Sequence, residues 1–127
     1  MITKFLTGRV KSLVFTIRGA WYLIISEDAA KAQVCLCMLF VMMGFYFGIN
    51  RYEWMFQFIS IGAILATEAL NTAVEKICDF IHSDYHSKIG FIKDISAGAS
   101  TFIVLASLIN ASIIYYPYLK LYYERII

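Results

Sequence analysis

Four polar residues sit at helical spacing in the middle of an otherwise apolar chain: Glu68, Asn71, Glu75 and Asp79, separated by 3, 4 and 4 positions. At about 100° per residue they fall within about 80° of one another, so on a helix they form one stripe. Carboxylates in a row have two chemical uses that fit. They can hold a divalent cation through hard oxygen ligands, and they can take a proton from an alcohol. Glu27 and Asp28, ahead of the first apolar run, offer further oxygen ligands; Lys93 beside Asp94 sets a cation suited to phosphate next to a carboxylate. The chain holds no G-x-x-x-x-G-K-[ST], which excludes P-loop nucleotide binding, and no serine, histidine and aspartate order that suggests a triad. A competing reading continues the stripe through His82 and His86 as the metal-binding face of a small transporter. Another makes it purely structural, polar glue between membrane helices.

The elements that position this stripe belong to a membrane protein. Of 127 residues 61% are hydrophobic and 16% charged, with mean hydropathy +0.70, whereas soluble domains are near half apolar and a quarter charged. That length allows one domain over residues 1–127. The balance of 11 Lys+Arg against 9 Asp+Glu excludes a nucleic-acid binder. Cys35, Cys37 and Cys78 form neither a disulfide framework nor a zinc spacing and read as small apolar side chains.

Three uncharged stretches run over 34–50, 54–67 and 95–119. At the helical rise they measure roughly 26, 21 and 38 Å against a hydrocarbon core of roughly 30 Å. The second spans only if its helix continues past Thr67, which carries Glu68 and Asn71 to membrane depth. Ionisable groups there are costly and usually serve a site. Ahead of the spans, Val10, Leu13, Val14, Ile17, Trp21 and Ile24 recur at helical spacing, with Lys4, Lys11 and Arg18 on another face, the pattern of an amphipathic helix in the headgroup layer.

The expectation is therefore an all-α membrane protein: a surface helix over about 5–25, and spans over about 32–49, 53–72 (continuing as helix to about 81) and 95–117. Basic residues before the first span and between the second and third place both segments, and the stripe's lower end, in the cytoplasm. Trp54 and the tyrosines Tyr115, Tyr116, Tyr118, Tyr122 and Tyr123 then fit an outer aromatic belt. Three spans cannot shield four polar residues from lipid in a lone copy, which points to an oligomer.

The run over 68–79, E-A-L-N-T-A-V-E-K-I-C-D, resembles the signature of the prokaryotic diacylglycerol kinase family, with Glu68, Asn71, Glu75 and Asp79 at its polar positions. Tyr85-His86 and the run K-D-I-S-A-G-A from Lys93 resemble two further family elements, as do Gly19 and Glu27. The resemblance covers about 9–107. It implies a small integral-membrane lipid kinase, homotrimeric with sites shared between subunits, that moves the γ-phosphoryl of ATP to a lipid alcohol, diacylglycerol or undecaprenol, at the cytoplasmic face of the bacterial inner membrane. The A-G-A element and the short outer loop are more similar to the undecaprenol-using branch.

Carried over position by position, the resemblance implies Glu68 as catalytic base and Asn71 in the catalytic centre, with Glu27 and Glu75 holding Mg²⁺. It further implies that Tyr85, His86, Lys93 and Asp94 bind ATP, with Arg9 and Phe15 as nucleotide contacts on the surface helix. The chain departs from the family in three places. After Glu27 it reads D-A-A-K-A-Q where many relatives have x-N-x-R-x-H, so only Glu27 carries over there. Arg9 stands one residue nearer the glycine, and Phe15 replaces a tyrosine, which leaves a ring that stacks but cannot donate a hydrogen bond.

Overall fold

The computed structural model describes residues 2–126, and side chains over 5–126; the side chain of Lys4 lies outside the described residues. Within them the chain forms four helices and no strand: α1 (Ile2–Ser26), α2 (Asp28–Phe47), α3 (Arg51–Ile81) and α4 (Ser87–Ile126). The last three are long and apolar enough to cross a membrane. Their 20, 31 and 40 residues correspond to about 30, 46 and 60 Å, so α3 and α4 both run well beyond the hydrocarbon layer. Large apolar side chains such as Leu39, Phe58, Ile59 and Phe102 face outward, as expected where lipid rather than water is the solvent. This is an all-α membrane protein.

The end of the bundle at the α2–α3 link, expected to lie outside, is fastened by local chemistry. Gly48 closes α2 in the left-handed region (φ 64°), with its N–H on Phe45 O and that of Ile49 on Gly44 O, a Schellman ending that favours glycine. Two residues later Asn50 starts α3 through a capping box: its side chain accepts from the N–H groups of Tyr52 and Glu53, while Glu53 Oε2 accepts from the Asn50 N–H. Gly44 has a second role. A Cβ there would lie 2.7 Å from the Trp54 ring, so only a hydrogen lets the indole close against α2.

Polar groups also join the spans. Gln57, buried in α3, donates from Nε2 to Phe40 O on α2 (3.0 Å) and accepts at Oε1 from the Tyr115 hydroxyl on α4 (2.6 Å). Asn110 of α4 donates to Ser60 Oγ at 2.8 Å. In a low-dielectric interior such links satisfy groups that lipid cannot. The tyrosines divide accordingly. Tyr116, Tyr122 and Tyr123 are exposed as a belt requires, but Tyr115 is buried against Ile49 and Ile114, and the Tyr118 hydroxyl donates to Glu53 Oε2 at 2.7 Å. Those two are turned inward because polar partners on α3 stand within their reach.

Helix α4 continues through Pro117 to Ile126. Between α1 and α2 one residue, Glu27, is non-helical (φ −106°, ψ 120°), and the chain bends there with the carboxylate on the elbow. Substituting Gly44 by valine should force Trp54 off α2 and cost about 1–3 kcal/mol, the usual penalty for overpacking. Titrating the folded protein with denaturing detergent in mixed micelles measures it, and an unchanged midpoint would refute the close-approach role.

Candidate active site

Helix α3 carries the predicted stripe at a depth set by its length. Glu68 lies 17 residues into α3 from Arg51, about 25 Å along the axis and within the length of a roughly 30 Å hydrocarbon core. Asn71, Glu75 and Asp79 follow toward the far end of the helix. Glu68 is 5% exposed, and Asn71 9%. An isolated carboxylate at such a place is costly unless hydrogen-bonded. Glu68 has a partner: Gln33 of α2 donates from Nε2 to Glu68 Oε2 at 2.8 Å.

Each other member of the stripe has its own partner. Asn71 Nδ2 donates to Glu75 Oε1 at 3.0 Å, and its Oδ1 is buried with no hydrogen-bond partner among the described residues. Asp79 is bridged by Lys93 of α4, and Glu27 Oε1 by Lys76 Nζ at 2.7 Å. The Lys76 hydrogen bond holds the Glu27 carboxyl below its usual 4.5, against the upward pull of partial burial. Lys76 also sits 5.9 Å from the centre of the Tyr22 ring on α1, so the elbow, the surface helix and α3 converge on this cation.

A groove of about 550 Å³ opens where α1, α2 and α3 meet. Its walls are mostly apolar and small, among them Gly19, Ala30 and Ala69, and its polar lining includes Glu68, Thr72 and Lys76. The space is open because small side chains from three helices meet there.

The structure brings Glu68, Asn71, Glu75 and Glu27 into the inner end of the bundle, but Glu27 reaches Lys76 rather than Glu75. Among the described residues, no group of three His, Cys, Asp or Glu side chains is placed to hold a metal ion. The predicted nucleotide contacts are dispersed. Arg9 lies over the ring of Phe5 on its own helix, Phe15 is 68% exposed, Tyr85 is exposed in the link between α3 and α4, and Asp94 is exposed on α4. His86 Nδ1 accepts from the Lys88 N–H, and its ring lies 5.3 Å from that of His82. The longer metal face that would have run to His86 is interrupted, because α3 ends at Ile81. Spacing singles out neither Gln33 nor Lys76; Lys76 reads in sequence as part of a solvated face, and only the elbow at Glu27 gives it a partner.

The model of the family described as prokaryotic diacylglycerol kinase matches residues 14–115. The chain belongs to the prokaryotic diacylglycerol kinase family. Its relatives include the undecaprenol kinase of Bacillus subtilis, 31% identical over 107 residues that cover 84% of this chain and 87% of that protein. The diacylglycerol kinase of Haemophilus influenzae is 29% identical over 103 residues, covering 81% and 86%, and that of Escherichia coli K12 is 26% identical over 94, covering 74% and 75%. As a member of this prokaryotic diacylglycerol kinase family with three membrane-spanning helices, the protein is a bacterial membrane lipid kinase.

Within this family member the Glu27–Lys76 pair predicts a pH dependence. Because the folded carboxyl titrates below 4.5, the pair is fully formed above that value and is lost as pH falls through the lower folded midpoint. An NMR titration of the Glu27 carboxyl carbon in micelles should show that depressed midpoint, and Lys76→Met should raise it. Equal midpoints in the two proteins would mean that Lys76 does not hold Glu27.

Proposed function

We propose that the protein transfers the γ-phosphoryl group of ATP, with Mg²⁺, to the hydroxyl of a membrane lipid alcohol at the cytoplasmic face. The observation that carries this reading is Glu68: a buried, hydrogen-bonded carboxylate near the inner membrane edge, on the wall of a mostly apolar groove. A lipid alcohol entering from the bilayer would place its tail along the small residues and its hydroxyl toward Glu68. The bond between the γ-phosphorus and the oxygen bridging to ADP breaks, a new bond forms to the lipid oxygen, and the hydroxyl proton passes to the Glu68 carboxylate. Gln33 fixes that carboxylate by donating to one of its oxygens, which leaves its orientation independent of the substrate.

The donor set suits a hard divalent cation. Glu75 and Glu27 supply carboxylate oxygens, and Asn71 presents a buried oxygen without a partner beside Glu75. Glu27 and Glu75 are the residues that would hold Mg²⁺, which when bound neutralises charge on the phosphates. Lys93, near the start of α4, would face phosphate from the cytoplasmic side; Tyr85, His86 and Asp94, with Arg9 and Phe15 on α1, would complete nucleotide binding.

We take the active unit as a homotrimer with sites shared between copies. Its support is that Glu27 pairs with Lys76 rather than with Glu75 within one chain, together with the exposure of the predicted nucleotide contacts. For the acceptor, the activities of the relatives leave two alcohols, diacylglycerol and undecaprenol, and the relative from Bacillus subtilis together with the A-G-A element favours undecaprenol.

Transfer of labelled phosphate from Mg-ATP in mixed micelles, with both alcohols run side by side, tests the reading. Turnover should fall about 10²- to 10⁴-fold in Glu68→Gln, the range for losing a general base, while the protein stays folded and oligomeric. Loss of the oligomer instead would favour helix glue, and turnover of neither alcohol by the unaltered protein would overturn the proposal. Mixing inactive Glu27→Ala and Glu68→Gln proteins should restore part of the activity if sites are shared, and none if each site lies within one chain.

A further inference from the structure

The residues that would bind the phosphates of ATP lie on the cytoplasmic side of the stripe, yet the phosphoryl group ends on a lipid, in the groove that Glu68 lines. A lipid phosphomonoester is close to doubly negative near neutral pH. With Glu68 on the groove wall, the product would meet a carboxylate unless a cation offsets it. Among the lining residues Lys76 is the one cation.

Its placement is specific. Glu68, Thr72 and Lys76 succeed one another at four-residue steps, so they share the side of α3 that faces α1 and α2, while Asn71, Glu75 and Asp79 follow an adjacent row. Lys76 lines the same groove as Thr72 and Glu68, which stand one and two turns before it on α3. The ammonium is held by Glu27 at 2.7 Å and rests against the face of Tyr22, and the side chain keeps 52% exposure. A half-exposed ion pair of this kind adds little stability. Folding is therefore a poor account of why three elements converge on one lysine.

We propose that Lys76 is the cation that binds the phosphoryl group once it is on the lipid, so that the groove between α1, α2 and α3 recognises a lipid phosphomonoester through Lys76 with Thr72 beside it. Glu27 holds the ammonium in position and yields it to the incoming phosphate. No bond is made or broken in this step; one anionic partner of the lysine replaces another. The inference rests on the kinase reading for the arrival of a phosphoryl group in the groove, but its test reads binding without turnover.

The probe is dioleoyl phosphatidate, a phosphomonoester, with dioleoyl phosphatidylglycerol, a singly charged phosphodiester, as the comparison. Affinity of each for the purified oligomer in detergent is measured for the unaltered protein, Lys76→Met and Lys76→Arg, together with the thermal midpoint of each protein without added lipid. Lys76→Met should weaken phosphatidate binding at least about tenfold, the worth of one charge-assisted contact, and leave phosphatidylglycerol within about threefold. Lys76→Arg should retain most of the phosphatidate affinity. Inorganic phosphate, added as a third probe, should bind no more weakly to Lys76→Met than to the parent, since without a tail it has no reason to enter the groove.

Unchanged phosphatidate affinity in Lys76→Met would overturn the proposal, as would an equal loss for both lipids, which marks a general surface charge. A fall in the lipid-free midpoint that Lys76→Arg does not rescue would also overturn it, since the lysine would then be a clasp between α1 and α3. If the unaltered protein phosphorylates neither alcohol while phosphatidate binding still depends on Lys76, the kinase reading fails and the recognition site stands. If turnover is normal and binding ignores Lys76, the reverse holds.

Discussion

A carboxylate held at the edge of the hydrocarbon layer is the constraint on which the rest of the molecule depends. Glu68 cannot face lipid as a charge without a cost of several kcal/mol. The protein meets that demand by enclosing it. Helix α2 supplies Gln33 to one carboxylate oxygen, small residues on three helices leave a groove beside the side chain, and α3 is long enough to carry the stripe past the hydrocarbon layer.

The two ends of the bundle are built on different physics. The outer end is a packed, fully capped cluster: Trp54 against Gly44, Tyr115 and Gln57 across three helices, and the Asn50 box at the start of α3. It sets the register of α3 against α2 and α4, and hence the depth of Glu68 along the axis. The inner end is looser, with exposed ion pairs, a one-residue elbow and an open groove. Exposed pairs contribute little rigidity, so chemistry that needs side chains to exchange partners is placed where exchange is inexpensive.

The family resemblance and the geometry support one another at unequal resolution. Membership of a lipid kinase family follows from a match over residues 14–115 and relatives covering most of the chain. The single chain shows where the polar stripe lies and what touches it, and it leaves the residues proposed to contact the nucleotide, on α1 and in the link between α3 and α4, facing outward. An arrangement in which these face another copy would explain both their exposure and the partner that Glu27 has within one chain.

Much of this was legible in the residues themselves. A spacing of 3, 4 and 4 among Glu68, Asn71, Glu75 and Asp79 at the end of an apolar run implies a polar helix face near membrane depth whatever the fold, because helix periodicity and the cost of burying charge are local facts. The same reasoning yields three spans and an amphipathic first helix. What it could not yield are contacts between residues far apart in sequence. Gln33 meets Glu68 across 35 positions and Lys76 meets Glu27 across the elbow, and nothing in the local pattern of either segment marks the partner. Tyr115 reads as an interfacial belt residue until packing turns its hydroxyl onto Gln57. Composition and period decide which elements form and how deep they lie; which polar group answers which is decided only when helices pack and each buried donor must find an acceptor within about 3 Å.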